Sequence, residues 1–534
     1  MDKIFKNGKV YSVDDKNRFY TALGIEDERI VFLGFDDAAD SIDADEIIDL
    51  KGKTVLPGFI DSHIHLLNYA FVNSYYNMSE DSSISEIIKN GKKIGIGLDE
   101  AGDDHWIYGR GWNELNFTKG DKRVLTKQDL DKISLTRPIL FIRVCGHLAT
   151  VNSKALEIVN ELEDVKEYEG QIDNETGILS EASVKLCYNV MTEPSLEEIK
   201  DLIKYVLKDL SKCGITSTQT DDFLSLPGRN GERIMQAYRE LDEAGELTVK
   251  VREQPSFVSY GDVKKFIDDG HRTGDGTDYY SVGPIKLYID GSLGAKTALM
   301  NDPYEGDDTN YGMIRHTLEE LQDCLDYSYS HDMQILVHAI GDKASDVVMD
   351  AYENAIKKYG QKPLRLAINH LQIVSKELFD RMDEYGILAY IQPVFVPSDK
   401  PVIEKLVGKD RAERSYMWKT MLNKGLVCCG GSDSPVESFN ILQNIQCAVT
   451  RDALYEKTQG WHPEEKLTVE EAVRLFTIWN AYGAFEENKK GSLEIGKAAD
   501  LIILDKDIFE VEPHDIASIK VIATIVDGKT VYEK

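Results

Sequence analysis

One pattern constrains this chain more than any other: short apolar runs of strand length alternate with longer stretches of helical periodicity. Runs that end near Phe59-Ile60-Asp61, Ile215-Thr216-Ser217, Thr248 to Arg252, Ile285 to Ile289, Ile335 to His338, Leu366 to Asn369, Leu388 to Ile391 and Leu426 to Gly430 count as eight strands. Such alternation marks βα units, in which a crossover helix returns the chain to a parallel neighbour. Eight parallel strands close naturally into a ring. The expected fold class is therefore α/β, a (β/α)8 TIM-like barrel, with its chemistry at the carboxyl ends of the strands.

At 534 residues the chain exceeds what one hydrophobic core usually supports, so the barrel should have a companion. Residues 1–56 read as strands at Lys9 to Val13, Phe19 to Ile25, Arg29 to Gly34 and Glu46 to Asp49, with no place for a helix, up to the break at Leu56-Pro57-Gly58. Residues 491–534 read likewise, with an apolar run at Ala499 to Leu504 and a hairpin turn at Asp527-Gly528. A small β-sandwich assembled from both termini is expected, leaving residues 57–490 for the barrel. The interval from about Phe71 to Lys212 separates the first two strands and holds its own strand at Ile139 to Val144. It is expected to be an insertion (about 71–212) beside or over the barrel mouth, where specificity usually resides.

The balance of 93 acidic against 62 basic residues, a formal charge of -31, argues against a polyanionic partner, because phosphate backbones demand clustered Lys and Arg. No run of about 18 uncharged apolar residues is present, and the opening Met-Asp-Lys lacks a basic and then apolar leader. These features predict a cytoplasmic protein with neither nucleic acid nor membrane as partner. The seven cysteines include no C-x-x-C pair, which removes a thiolate zinc site and gives no disulfide framework. Cys428 and Cys429 read as small core residues.

Polar residues that close an apolar run are the first candidates for chemistry. His63 and His65 lie two apart at the end of a strand, so the pleat directs both imidazoles to one side. His338 and His370 take the same place on strands of their own. Asp433 follows Gly430-Gly431-Ser432, small residues that allow close backbone approach. Its alternative role is to cap a helix starting near Ser434-Pro435. Four imidazoles and a carboxylate are hard-to-borderline ligands suited to zinc, manganese, iron, cobalt or nickel, and the lack of cysteine ligands points to catalytic metal.

Together with these residues, Leu56 through His65, Gly109-Arg110-Gly111-Trp112-Asn113, Gly146-His147-Leu148-Ala149-Thr150-Val151-Asn152, Lys286 through Gly294, His338-Ala339-Ile340-Gly341-Asp342 and Gly431-Ser432-Asp433-Ser434-Pro435 resemble the amidohydrolase superfamily over nearly the whole chain. The likeness is to its family 3 branch, which includes N-substituted formamide deformylase. The resemblance implies that His63, His65 and Asp433 serve one divalent metal and that His338 and His370 serve a second, with two zinc ions as the reference case. It also implies that Lys286 is carboxylated by carbon dioxide and bridges the metals; pairing with a carboxylate such as Asp290, or direct substrate binding, are the alternatives.

The implied partner is a small-molecule amide-type substrate whose carbon-nitrogen bond is cleaved by metal-activated water, with Asp433 as proton shuttle. An N-substituted formamide is one such substrate. His147 would stabilise an oxyanion or make a structural hydrogen bond. Arg110, Trp112, Asn113 and Arg143 would bind substrate or support the insertion's core. The rival readings are a lactone, carbamate or organophosphate ester hydrolase and, from another class, a non-catalytic scaffold, against which the retained ligands speak. A homodimer is an admissible assembly. Relatives commonly carry an acid where this chain has Asn369, whose side chain is expected to face away from the ligands.

Overall fold

In the computed structural model all residues are described except Gly102, Asp103, Cys145, Gly146, His147 and Glu169. The chain divides into two compact units: Met1–Leu66, Leu207–Asp222 and Arg239–Lys534 form one, and Leu67–Val206 with Phe223–Tyr238 form the other.

In the first unit, eight parallel strands occupy the expected runs: β1 Phe59–Ile64, β2 Ile215–Thr220, β3 Lys250–Glu253, β4 Ile285–Tyr288, β5 Ile335–Ala339, β6 Ala367–His370, β7 Leu388–Ile391 and β8 Cys428–Gly430. Most of their residues are buried, as in parallel sheets covered on both faces. The helix Asp342–Tyr359 shows how this cover is made. Its buried Ala344, Val348, Met349, Tyr352, Ala355 and Ile356 recur at three- and four-residue spacing, and Lys357 and Lys358 occupy the last turn, where they favour the helix dipole. Tyr352 also donates its hydroxyl to Ala367 O at 2.9 Å, tying the helix to β6.

The strands do not form the single closed ladder that the sequence pattern predicts. They fall into two ladders, β1-β2-β3 with Tyr280–Val282 beyond β3, and β4-β5-β6-β7-β8. At one seam, Tyr280–Val282 takes the place beside β3 that β4 was expected to fill. Pro255 and Pro284 flank this seam and cannot donate ladder hydrogen bonds. Among the described residues, the backbone hydrogen bonds that cross between the strand β4 and the chain after β3 are Lys286 N to Pro255 O, 2.9 Å, and Phe257 N to Lys286 O, 3.2 Å. At the other seam the Asn480 side chain stands in for backbone, donating to both Ile60 O and Gly430 O at 2.5 and 2.7 Å.

The chain ends build two further sheets. One, of six strands, takes Lys9–Tyr11, Phe19–Tyr20 and Thr54–Pro57 from the beginning and Leu501–Leu504, Val521–Val526 and Lys529–Glu533 from the end. The other holds Arg29–Gly34, Ala22–Glu26, Lys3–Lys6 and Glu46–Asp49. Phe5, Leu23 and Ile25 pack with Val10, Leu501, Ile503 and Ile525 in one cluster that draws on both. Asp527 and Gly528 have φ of 45° and 71° and turn the final hairpin, since a two-residue loop with both φ positive matches strand twist. A short helix at Asp36–Ala39 corrects the expectation of a helix-free beginning.

The second unit has its own six-stranded sheet, including Ile107–Trp112 and Ile139–Arg143 as parallel neighbours, and its own core around Ile107, Trp112 and Phe141. Among the described residues no helix is long and apolar enough to cross a membrane.

Candidate metal centre

β1 delivers His63 within the strand and His65 one residue past its end. The chain after β8 turns back against them because Gly431 has no side chain: a Cβ there would lie 2.8 Å from His63 N and 2.9 Å from His63 Cβ. This close approach places Asp433 Oδ1 at 3.0 Å from His65 Nε2 and 3.3 Å from His63 Nε2. Asp433 has φ of 57°, and its N–H donates to His63 O at 2.8 Å. The helix expected from Ser434-Pro435 is not there. The next helix is Ile441–Thr450, capped by Asn440, so Asp433 is not a helix cap.

His370 closes β6 with its ring centroid 5.7 Å from that of His63 and 4.3 Å from that of His338, so the four imidazoles converge. Lys286 on β4 is fully buried, and its Nζ has no hydrogen-bond partner among the described residues. Asp290, its candidate partner, instead accepts three backbone N–H groups, from Leu299, Ile340 and Gly341. Asn369 departs from the expected arrangement. Its Nδ2 lies 3.0 Å from His370 Nε2, because His370 has φ of 81° and leaves the pleat that would have turned the two side chains apart.

Three of the histidines are braced from behind. His63 Nδ1 lies 3.2 Å from Gln254 Oε1, and Gln254 Nε2 donates to Ser62 O at 3.0 Å. His65 Nδ1 meets Asp221 O at 3.0 Å, and His338 Nε2 meets Gly291 O at 3.0 Å. Tyr288, two residues beyond Lys286, donates its hydroxyl to Asp221. Asp61 accepts the N–H of both His63 and Ser432, at 3.1 and 3.0 Å, joining β1 to the turn after β8.

The electrostatics follow from burial and mutual charge. Burial opposes ionisation of Asp433, yet the charge and hydrogen bonds of His63 and His65 hold its carboxyl well below the usual range. His65 loses stability as a cation through burial but gains more from Asp433, and rises to about 9. Burial and then the nearby Lys286 depress His63 to about 4, while burial takes Lys286 itself down to about 8 against the pull of Asp221 and Asp433. A buried, unpartnered lysine amine is thus brought within reach of its neutral form near pH 8.

These residues fit a divalent metal. The ligand atoms of His63, His65 and Asp433 lie within 4.8 Å of one another, as a single ion requires. The orphaned Lys286 Nζ and His370 Nδ1 are buried polar atoms that need a partner. The site opens on a cavity of about 350 Å³ lined by His63, His65, His338, His370 and Asp433 together with Tyr288, Gln372, Asp399 and Glu437. Its volume suits a small molecule.

The remaining candidates lie in the second unit. Trp112 is wholly buried in that unit's core and donates Nε1 to Phe141 O at 3.2 Å. Asn113 caps the turn Glu114–Asn116, and Arg143 holds Glu114 at 2.9 Å and Asn113 at 3.2 Å. Arg110 is half-buried in Ile107–Trp112. His147 lies outside the described residues. Sequence reasoning missed Asp61, Asp221, Gln254 and Tyr288. Asp221 and Tyr288 carried a usable signal, since both stand at the carboxyl end of a barrel strand.

Gln254 offers a direct test of these braces. Gln254→Leu removes the acceptor that fixes the His63 tautomer, and metal affinity should fall by about 10- to 100-fold. Competition with a chromogenic chelator measures this; unchanged affinity would show that Gln254 does not orient His63.

Residues 46–532 match the family model described as amidohydrolase family. The chain is 29% identical to the YtcJ protein of Bacillus subtilis (strain 168), covering 100% of both chains. It is 25% identical to N-substituted formamide deformylase of Arthrobacter pascens, over 100% of this chain and 98% of that protein. The crystal structure of a metal-dependent hydrolase from Pyrococcus furiosus superposes with a TM-score of 0.80 at 29% identity, over 95% of this chain and 100% of the other.

Proposed function

From the premise that the chain belongs to the amidohydrolase family, with its TIM-barrel-like α/β fold and metal-dependent hydrolysis of carbon-nitrogen bonds, we propose that it cleaves a small amide, an N-substituted formamide being the leading candidate. The observation that carries this reading is the meeting of His63, His65 and Asp433 at the carboxyl ends of β1 and β8, beside His338, His370 and Lys286 and facing one cavity.

In this reading His63, His65 and Asp433 would hold one divalent metal, and His338, His370 and a carboxylated Lys286 would offer a second position, zinc being the reference ion. Bound there, divalent metal supplies Lewis acidity toward the amide carbonyl and makes water a nucleophile near neutral pH. Asp433 is ionised and so accepts the proton of the attacking water. The same carboxyl then returns that proton to the amide nitrogen as the carbon-nitrogen bond breaks, giving an amine and a carboxylic acid that loses its proton to solvent. His65 Nδ1 meets Asp221 O at 3.0 Å, which fixes the tautomer that leaves Nε2 for the metal beside the carboxylate. Tyr288 lines the same cavity and keeps its proton, since burial and then Asp221 raise its pKa far above the ordinary value. Its role is to orient Asp221 and, through the Asp221 backbone, His65.

The test is a panel of N-substituted formamides, other N-acyl amines, lactones, carbamates and phosphate triesters, offered to protein stripped by chelator and then reloaded with zinc, manganese or cobalt. Amine release should vanish on stripping and return on reloading, with formamides among the best substrates. Turnover that survives complete metal removal would overturn the reading, and a clear preference for lactones or phosphate triesters would move the substrate class.

A further inference from the structure

A second cavity, of about 310 Å³, lies away from the metal ligands. It is lined by Arg252 on β3, Gln334 just before β5, Leu364 before β6, and Ser281, Thr273 and Glu486. Gln334 and Leu364 stand at the amino ends of their strands, whereas the histidines stand at the carboxyl ends.

Arg252 is the anomaly there. It is 6% exposed, yet its Nε has no hydrogen-bond partner, and its guanidinium makes no ion pair among the described residues. The other two buried arginines among the described residues spend more of their donors, although Arg451 Nη2 also lacks a partner. Arg411, equally buried, donates to the carbonyls of Val407, Asp302 and Pro303, each at 2.6 Å. Arg451 donates to the carbonyls of Trp461 and Tyr416 and packs its guanidinium against the rings of Trp418 and Trp461. The acid nearest in influence to Arg252, Glu486, is already paired with Lys490 at 2.8 Å. A buried cation with unused donors is costly unless something supplies charge and acceptors. Gln334 adds the complement: its Oε1 is also buried and without a partner, while its Nε2 is spent on Arg365 O and Gly483 O.

We propose that this cavity binds a small oxyanion bearing a hydroxyl group, its charged oxygens taking the N–H groups of Arg252 and its hydroxyl donating to Gln334 Oε1. Hydrogen phosphate and short hydroxycarboxylates share this chemistry, and guanidinium is well suited to both oxyanions. The site is independent of the hydrolytic reading, since none of its residues belongs to the metal centre.

Calorimetric titration of the metal-loaded protein with inorganic phosphate, glycolate, acetate and chloride at matched ionic strength tests this. Because phosphate and carboxylates also meet catalytic metal, the decisive quantity is the difference between wild type and Arg252→Met. Wild type should show a binding event that Arg252→Met weakens about 10-fold or more, the loss expected for a charged hydrogen bond. Phosphate and glycolate should bind there more tightly than acetate, which lacks the hydroxyl, and whichever of the two binds better identifies the source. Gln334→Met should erase that preference over acetate, and it serves as the second variant should Arg252→Met fail to fold. Identical isotherms in wild type and variant, or a response no different from chloride, would show that the cavity holds only water and would overturn the proposal.

Discussion

Asp433→Asn should lower kcat by about 10²- to 10⁴-fold, the range expected when a proton-transferring group is lost. Asn preserves the size of the side chain and an oxygen that can still face His63 and His65, but it cannot take up the water proton and hand it on. The backbone should not object. Asp433 sits at φ of 57°, and Asn is among the few residues that tolerate this left-handed region. Fold and thermal stability should therefore be retained while turnover collapses. Elemental analysis of the same sample separates ligand from shuttle: metal content should fall less than rate. Near-normal kcat with full metal would remove Asp433 from the proton path, and complete loss of metal would reduce it to a ligand.

That test rests on a site whose ligands were legible in the sequence for a physical reason. His63, His338 and His370 each belong to a strand formed by an apolar run, and in parallel strands covered on both faces polar residues are affordable mainly where the strand meets the cavity. The braces were less legible because they are chosen in three dimensions. Gln254 is 191 residues from His63, and Tyr288 is 67 residues from Asp221. The seams between ladders escaped because periodicity reports that a strand exists, not which neighbour it pairs with; Tyr280–Val282 displaces β4 beside β3 by pairing alone. Ser434-Pro435 looked like a helix start, since Pro is favoured in the first turn, but Pro also suits non-helical turns, and the helix waits for Asn440, whose side chain accepts from Leu442 N and Gln443 N. Asn369 illustrates a subtler failure. Alternation of side chains holds only while the strand stays pleated, and His370 breaks it at the one residue where the inference was drawn.

Lys286→Ala should cost at least about 100-fold in activity, because partners one shell removed from a metal already cost about 10- to 100-fold and a direct ligand should cost more. Lys286 is buried, has no hydrogen-bond partner among the described residues, and burial lowers its pKa to about 8, which brings the neutral amine within reach. Carboxylation would join the neutral amine to the carbon of carbon dioxide, release one N–H proton to solvent and put a carbamate anion where a cation would have been. It would bring two oxygen acceptors to a pocket that already contains His63, His338 and His370, and replace an ammonium that repels metal with an anion that attracts it. Lys286→Ala should accordingly retain less metal than wild type by elemental analysis, and propionate, which can enter the space vacated by the side chain, should restore part of both metal content and activity. Crystals grown with bicarbonate and divalent metal should show a planar extension on Nζ. A variant that keeps full metal and full turnover without propionate would show that Lys286 plays no part in holding the metals, leaving its burial to be explained by packing alone.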